Sequence, residues 1–277
     1  MCSFVSNASV KGTRPGWMSP FFFQKFWHIM GPHVTSAVIS VLHSGQYLHK
    51  MNYTHIVLIP KSKNPKHIID YRPISMGNVI SRLVSKVLAN RVKTILPNVI
   101  SDSQSAFVPS RLITDNTTMA YEMLHHKRNR RKGKIGHMAI KLDISKAYDR
   151  VEWEFLQQIM LKIGLPDQWV ELAIGVVQTA SYSILINGEP RGQTITQGIK
   201  QGNPLSPYLF LFCVEGLSSL LRQATIADQL HAIASCRGRV QVTYLLFADD
   251  SLLFCEATTS DCQNLLNILG LYEMASG

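Results

Sequence analysis

Two stretches of alternating apolar residues, 240–247 and 251–255, close around Ala248-Asp249-Asp250. Period-two alternation predicts two strands with a tight turn between them. The turn then carries two adjacent acids. Tight hairpins favour Asp-Gly or Asn-Gly in a type I′ turn, so a plain turn is one reading of the acids. Two like charges beside buried strands, however, cost energy unless a cation neutralises them. A third acid, Asp143, ends the run Met138-Ala139-Ile140-Lys141-Leu142, for which a strand over 137–142 is expected. Asp143 reads equally well as a metal ligand at a strand exit or as the N-cap of a following helix. Hard divalent cations select carboxylate oxygens. One strand acid with a second acidic cluster on a neighbouring hairpin is a layout that holds two such ions for an in-line phosphoryl displacement.

The rest of the chain mixes both element types without strict βαβ alternation. Residues 1–20 are broken by Ser, Asn, Gly and Pro, and helices are expected over 21–29 and 34–48. The β-branched run 55–59 predicts a strand ended by Pro60, followed by a polar, basic loop over 61–71. Apolar residues from Val79 to Leu96 recur at helical spacing, and Pro97 is expected to stop that helix. Further helices are expected over 114–126, 151–163, 166–179, 204–222 and 258–274. A hairpin is expected with strands 181–187 and 193–196 around Gly188-Glu189-Pro190-Arg191-Gly192. This pattern predicts an α+β fold.

Among 277 residues, 46% are hydrophobic, enough for a core, and the net charge of +10 favours a polyanionic partner. The basic run 127–134, with Lys127, Arg128, Arg130 and Arg131, reads as a nucleic-acid contact or as a solvated loop. The five cysteines are odd in number and lack C-x-x-C spacing, so no disulfide framework is expected; Cys213 and Cys255 read as buried thiols. That usage predicts an intracellular protein of the cytoplasm, the nucleus or both. No secretory signal is expected, and the apolar stretch 208–214 is too short for a membrane span.

At this point five blocks, in one order, carry a resemblance. They are Ile59-Pro60-Lys61 with Asp70-Tyr71-Arg72-Pro73-Ile74-Ser75; Gln104-Ser105-Ala106-Phe107-Val108-Pro109 with Arg111 and Asp115-Asn116; Lys141-Leu142-Asp143-Ile144-Ser145-Lys146-Ala147-Tyr148-Asp149-Arg150-Val151; Gln201-Gly202-Asn203-Pro204-Leu205-Ser206-Pro207; and Phe247-Ala248-Asp249-Asp250. The ordered set resembles the reverse transcriptases of non-LTR, LINE-type retrotransposons, in their plant-like form. Asn203 stands where that family usually has Asp, and Lys200 where it usually has Arg.

The resemblance implies a right-hand polymerase: fingers and palm, an antiparallel palm sheet flanked by helices, and no thumb. Residues 1–50 would be an N-terminal extension and 51–277 the fingers and palm, the fingers at about 51–135 and 150–200. It implies an RNA-directed DNA polymerase, a nucleotidyltransferase, from a truncated element, using an RNA template, a DNA primer and deoxynucleoside triphosphates, with no membrane partner. Asp143, Asp249 and Asp250, with the Ile144 carbonyl, would hold two Mg2+ ions, or Mn2+ in their place. Lys61 and Arg72 would hold the triphosphate, Tyr148 would gate the sugar, and Gln201 and Gly202 would shape the nucleotide pocket. Arg111 and the basic run would contact nucleic acid. The alternative is a catalytically inactive, nucleic-acid-binding remnant of such an element.

Overall fold

The structure, a computed structural model, describes residues 20–45, 52–129, 136–144, 147–194, 197–234 and 241–277. Its elements are α1 (Pro20–Lys25), α2 (Trp27–Ser44), β1 (Tyr53–Pro60), β2 (Tyr71–Met76), α3 (Val79–Lys93), α4 (Leu96–Val99), α5 (Ile113–Asn129), β3 (His137–Asp143), α6 (Trp153–Ile163), α7 (Asp167–Gln178), β4 (Ser181–Ile186), β5 (Glu189–Thr194), α8 (Ser206–Ile226), β6 (Ile233–Ala234), β7 (Gln241–Val242), β8 (Tyr244–Phe247), β9 (Asp250–Glu256) and α9 (Thr259–Ser276). The mixed α+β class expected from the sequence is what the elements form. They divide into two compact units. The first comprises 1–88, 166–196 and 201–204, and the second 89–165, 197–200 and 205–277.

The first unit is built on a four-stranded sheet in the order β2-β1-β4-β5. β1 pairs antiparallel with β2 and parallel with β4, and β4 pairs antiparallel with β5. The basic stretch after β1 is shorter than the sequence suggests, because Tyr71 already belongs to β2. Pro73 conceals that strand in the sequence; it is tolerated because β2 is a sheet edge. The β4–β5 hairpin is also tighter than expected. Its loop is Asn187-Gly188, whose φ values of 50° and 82° are those of a type I′ turn, and 189–192 are already strand. Helix α7 buries Val170, Leu172, Ala173, Ile174, Val176 and Val177.

The second unit carries a three-stranded antiparallel sheet, β3-β9-β8. Helices α5, α6, α8 and α9 lie among its elements. Leu156, Met160, Leu209, Leu217 and Phe254 are buried in it, and Met123, Ile233, Val242 and Phe254 form one apolar cluster. Helix α8 is long and apolar enough to cross a bilayer by length and composition alone, yet twelve of its residues are buried. Such burial is what a core helix shows. Pro97 does not end α3, which stops at Lys93. It sits in the first turn of α4, where its missing N–H costs nothing. The expected strand over 240–247 is two strands, β7 and β8, interrupted at Thr243, and Asp250 is the first residue of β9 rather than part of the turn. Among the described cysteines, Cys213, Cys255 and Cys262 are free, the first two buried.

One ion pair ties the start of α9 to the segment before β6. Asp261 is fully buried; its carboxylate accepts from the His231 backbone N–H at 3.1 Å, lies 2.8 Å from His231 Nδ1 and accepts from Thr258 Oγ1 at 3.1 Å. Burial would raise the Asp261 pKa, but the hydrogen bonds from His231 and Thr258 outweigh it and hold it low. The hydrogen bond to Asp261 and its charge, then Asp228 and Glu256, raise His231. A raised histidine stabilises the fold below its unfolded pKa and loses that contribution as pH rises through its folded one. The urea midpoint is therefore expected to fall as pH climbs through the raised His231 pKa. A His231→Gln chain is expected to show no such fall; a persisting fall would assign the effect elsewhere.

Candidate active site

The three aspartates expected to act together are brought to one end of the β3-β9-β8 sheet. In the β3–β9 register Asp143 stands opposite Asp250, and in the β8–β9 register Phe247 stands opposite Asp250. Opposed residues on antiparallel strands have Cα atoms roughly 4.5–5.5 Å apart. The loop is thus Ala248-Asp249, with Asp249 beside the facing pair. All three acids are exposed. Asp143 is the last residue of β3, and among the described residues the next helix begins only at Trp153, so Asp143 is not an N-cap.

The turn is not type I′. Ala248 has φ 53°, but Asp249 is not left-handed. An L-residue in that region carries roughly 1–2 kcal/mol of strain, so neighbours must hold it. They do so through residues 101–116. The Leu246 N–H donates to the Ser103 carbonyl at 2.8 Å, and the Ser105 N–H donates to the Leu246 carbonyl at 3.2 Å. Asn116 Nδ2 donates to that same carbonyl at 2.7 Å. Buried Gln104 accepts through Oε1 from the Ala248 N–H at 3.2 Å and the Ala106 N–H at 2.9 Å. Single-sequence reasoning gave Gln104 and Asn116 no role. Their only signal was membership of the 104–116 block.

The carboxylates supply the oxygen donors that a hard divalent cation takes. Among the described residues no three His, Cys, Asp or Glu side chains come together as a group that could hold a metal ion. Lys141 Nζ, two residues before Asp143, lies 3.0 Å from Asp250 Oδ1. This hydrogen bond and the Asp250 charge, with those of Asp143 and Asp249, raise the Lys141 pKa.

Tyr148 stacks on Phe210 of α8, ring centroids 5.0 Å apart and planes 18° apart. Its phenol is pushed up to about 12, first by burial and then by the Asp249 charge. Its carbonyl accepts from the Ile199 N–H at 2.7 Å, and Trp153 Nε1 donates to the Gly198 carbonyl at 2.8 Å. Lys200 is buried, and burial lowers its pKa to about 8. The Ile144 carbonyl follows directly on β3.

Lys61, Arg72, Gln201 and Gly202 lie in the first unit. Lys61 Nζ donates to the Ile69 carbonyl at 2.9 Å, and the Lys61 N–H to the Asp70 carbonyl at 2.8 Å. Asp70 Oδ2 accepts from the N–H groups of His67 and Lys66, both at 2.9 Å, which lower its pKa. Arg72 is exposed on β2 opposite Ile59. The Gln201 carbonyl accepts from the Ser75 N–H at 3.2 Å and from Ser75 Oγ. Gly202 has φ 92°, and a Cβ there would lie 3.1 Å from the Ser75 carbonyl oxygen. Arg111, in the second unit, turns its guanidinium onto the carbonyls of Ser101, Gln104 and Ile100 and onto Asp102. Those four bonds leave one of its five N–H groups for any other partner. The side chains of Lys127 and Arg128, and Arg130 and Arg131 altogether, lie outside the described residues.

Residues 59–272 match the family model described as reverse transcriptase (RNA-dependent DNA polymerase). The chain is 28% identical over 236 residues to the transposon TX1 uncharacterized 149 kDa protein of Xenopus laevis, covering 85% of this chain and 17% of that protein. It is 28% identical over 217 residues to the retrovirus-related Pol polyprotein from type-2 retrotransposable element R2DM of Drosophila melanogaster, covering 78% and 19% respectively. An uncharacterized mitochondrial protein of Arabidopsis thaliana is 46% identical over 68 residues, 24% of this chain and 56% of that protein. The chain thus spans less than a fifth of the length of the first two relatives. With its five ordered blocks and a family match covering most of its length, the chain belongs to the reverse transcriptase family, in the form carried by non-LTR retrotransposons.

Proposed function

We propose that the chain is the polymerase core of an RNA-directed DNA polymerase, extending a DNA primer on an RNA template from deoxynucleoside triphosphates. The observation that carries this is Asp143 opposite Asp250 at the end of the β3–β9 pair, with Asp249 in the adjoining turn. In this reading the fingers are about 51–135 and 150–200, interleaved with the palm. In the reaction the primer 3′-oxygen bonds to the α-phosphorus, the bond from that phosphorus to the bridging oxygen breaks, and pyrophosphate leaves as the hydroxyl proton is lost.

Asp143, Asp249 and Asp250, with the Ile144 carbonyl, are the groups that would hold two Mg2+ ions, or Mn2+. When bound, such a pair supplies Lewis-acid activation of the hydroxyl and neutralises charge on the leaving oxygen. Lys61 and Arg72 bind the triphosphate, the first as a point charge and the second as a planar fork. Tyr148, held flat by Phe210, blocks the space of a ribose 2′-hydroxyl. Gln201 and Gly202 line the nucleotide pocket. Arg111 and the run Lys127, Arg128, Arg130 and Arg131 add positive charge for the nucleic-acid backbone.

Primer extension on an RNA template with Mg2+ is the test. The wild-type chain is expected to extend, and an Asp249→Ala, Asp250→Ala double variant is expected to bind the primer–template yet add nothing. Equal extension by the double variant overturns the assignment of these acids. Salt-dependent binding without extension by the wild-type chain would instead establish the non-catalytic remnant.

A further inference from the structure

The acidic turn is a strained backbone held by one buried side chain, and that side chain has no role in the family reading above. Gln104 is 1% exposed, so its amide has left water. Oε1 is satisfied twice, by the N–H groups of Ala106 and Ala248. Nε2 is buried with no hydrogen-bond partner among the described residues. A buried amide with an orphaned donor is a poor device for stability alone, because the desolvation cost of one half offsets the bonds made by the other. What the arrangement does achieve is local. The Ala248 N–H is the last backbone donor before Asp249, and Ala248 is the left-handed residue of the turn. Fixing that amide fixes the Phe247–Ala248 peptide, the entry to the left-handed residue that precedes Asp249.

The surroundings hold Gln104 itself. Its backbone bridges Leu246, 142 residues along the chain, through the Ser103 and Ser105 bonds. Asn116 braces the Leu246 carbonyl, and Ser105 Oγ donates to Asn116 Oδ1 at 2.7 Å. Arg111 gathers the carbonyls of residues 100, 101 and 104. We infer that Gln104, braced by Asn116 and Arg111, is a positioning residue for the acidic turn: its side-chain carbonyl sets the direction of Asp249 and so the affinity of the carboxylate cluster for a divalent cation. The inference rests on the metal-binding reading of the three acids. It gives Gln104 and Asn116 a purpose within the second unit.

The test uses the full chain and four variants. Gln104→Met keeps the volume and removes both the acceptor and the orphaned donor. Mn2+ binding is followed by electron paramagnetic resonance without nucleotide, and the turn by amide hydrogen exchange over residues 244–252. Supporting groups around metal ligands typically alter affinity by about 10–100-fold. Gln104→Met is expected to weaken Mn2+ binding by about tenfold, within that range, and to speed exchange at Ala248 while the amides of α8 stay protected. Gln104→Glu, which keeps an acceptor at the same reach, is expected to restore protection of the turn. If Gln104→Met fails to melt cooperatively, Asn116→Asp decides. It removes the donor to Leu246 and is expected to speed exchange in the same turn. Wild-type Mn2+ affinity and wild-type exchange in a folded Gln104→Met chain overturn the inference, as does unchanged exchange in Asn116→Asp. Wild-type affinity in Asp249→Ala would instead overturn the metal reading, with the exchange data still deciding the role of Gln104.

Discussion

Asp143→Asn is expected to abolish primer extension while making the chain harder to unfold. Asp143 and Asp250 face each other across β3 and β9, both exposed. Like charges directly opposed on neighbouring strands destabilise a sheet by roughly 0.2–1 kcal/mol. Lys141 pairs directly with only one of them, Asp250 Oδ1 at 3.0 Å, and acts on Asp143 at longer range. Removing the Asp143 charge therefore removes repulsion and leaves that pair intact. The chemistry moves the other way. Metal-assisted charge stabilisation in a phosphoryl transfer is worth several kcal/mol. At 1.36 kcal/mol per decade, losing even four predicts a fall in kcat/KM of about 10³-fold. Single-turnover extension and urea unfolding of the same preparation separate the two effects. Activity within tenfold of wild type would remove Asp143 from the proposed metal site. A lower unfolding midpoint would mean that the carboxylate makes a stabilising contact in the fold.

The opposite signs also explain why this part of the molecule was legible in the sequence. Acids clustered at the end of apolar strands work against folding, so their presence there calls for a function. Alternation over 251–255 and the strand run over 137–142 placed Asp143 and the acidic turn correctly because each strand announces itself locally. Other elements did not. Pro73 hid β2, since only the sheet order reveals that this proline sits on an edge. Pro97 looked like a stop and is a start. Gln104 was invisible for a different reason: the amide it holds is 144 residues away, and no local period records such a partner. For Arg111 the resemblance implied a nucleic-acid contact, and no local pattern announced that its guanidinium also gathers the carbonyls of residues 100, 101 and 104. Charge is visible in a sequence; the direction of a side chain is not.

A single added methyl at Gly198 is expected to be strongly destabilising. Its φ is 81°, and a Cβ would lie 2.5 Å from the Asp149 carbonyl oxygen and closer still to that of Tyr148. Gly164, in the same unit, is the control, with φ 91° and nothing within 4 Å of a Cβ. Gly164→Ala therefore carries only backbone strain, about 1–2 kcal/mol. Gly198→Ala adds a clash with main-chain atoms, which cannot swing aside as a flexible side chain would. Its expected cost is at least about 3 kcal/mol, at the upper end of ordinary single substitutions. The difference between the two variants in urea unfolding isolates the contact. Relief of the clash requires moving the peptides that carry the Tyr148 and Asp149 carbonyls, and so disturbs the 2.7 Å bond from the Ile199 N–H to the Tyr148 carbonyl. That movement slides the Tyr148 ring over Phe210. Folded Gly198→Ala chains are therefore expected to admit ribonucleotides more readily, approaching the discrimination of Tyr148→Ala. Gly164→Ala, equally strained but remote from that peptide, is expected to keep wild-type sugar selectivity. Equal stability losses in the two glycine variants would show that the backbone around Gly198 yields freely. Tyr148 would then be held by its stacking on Phe210 alone.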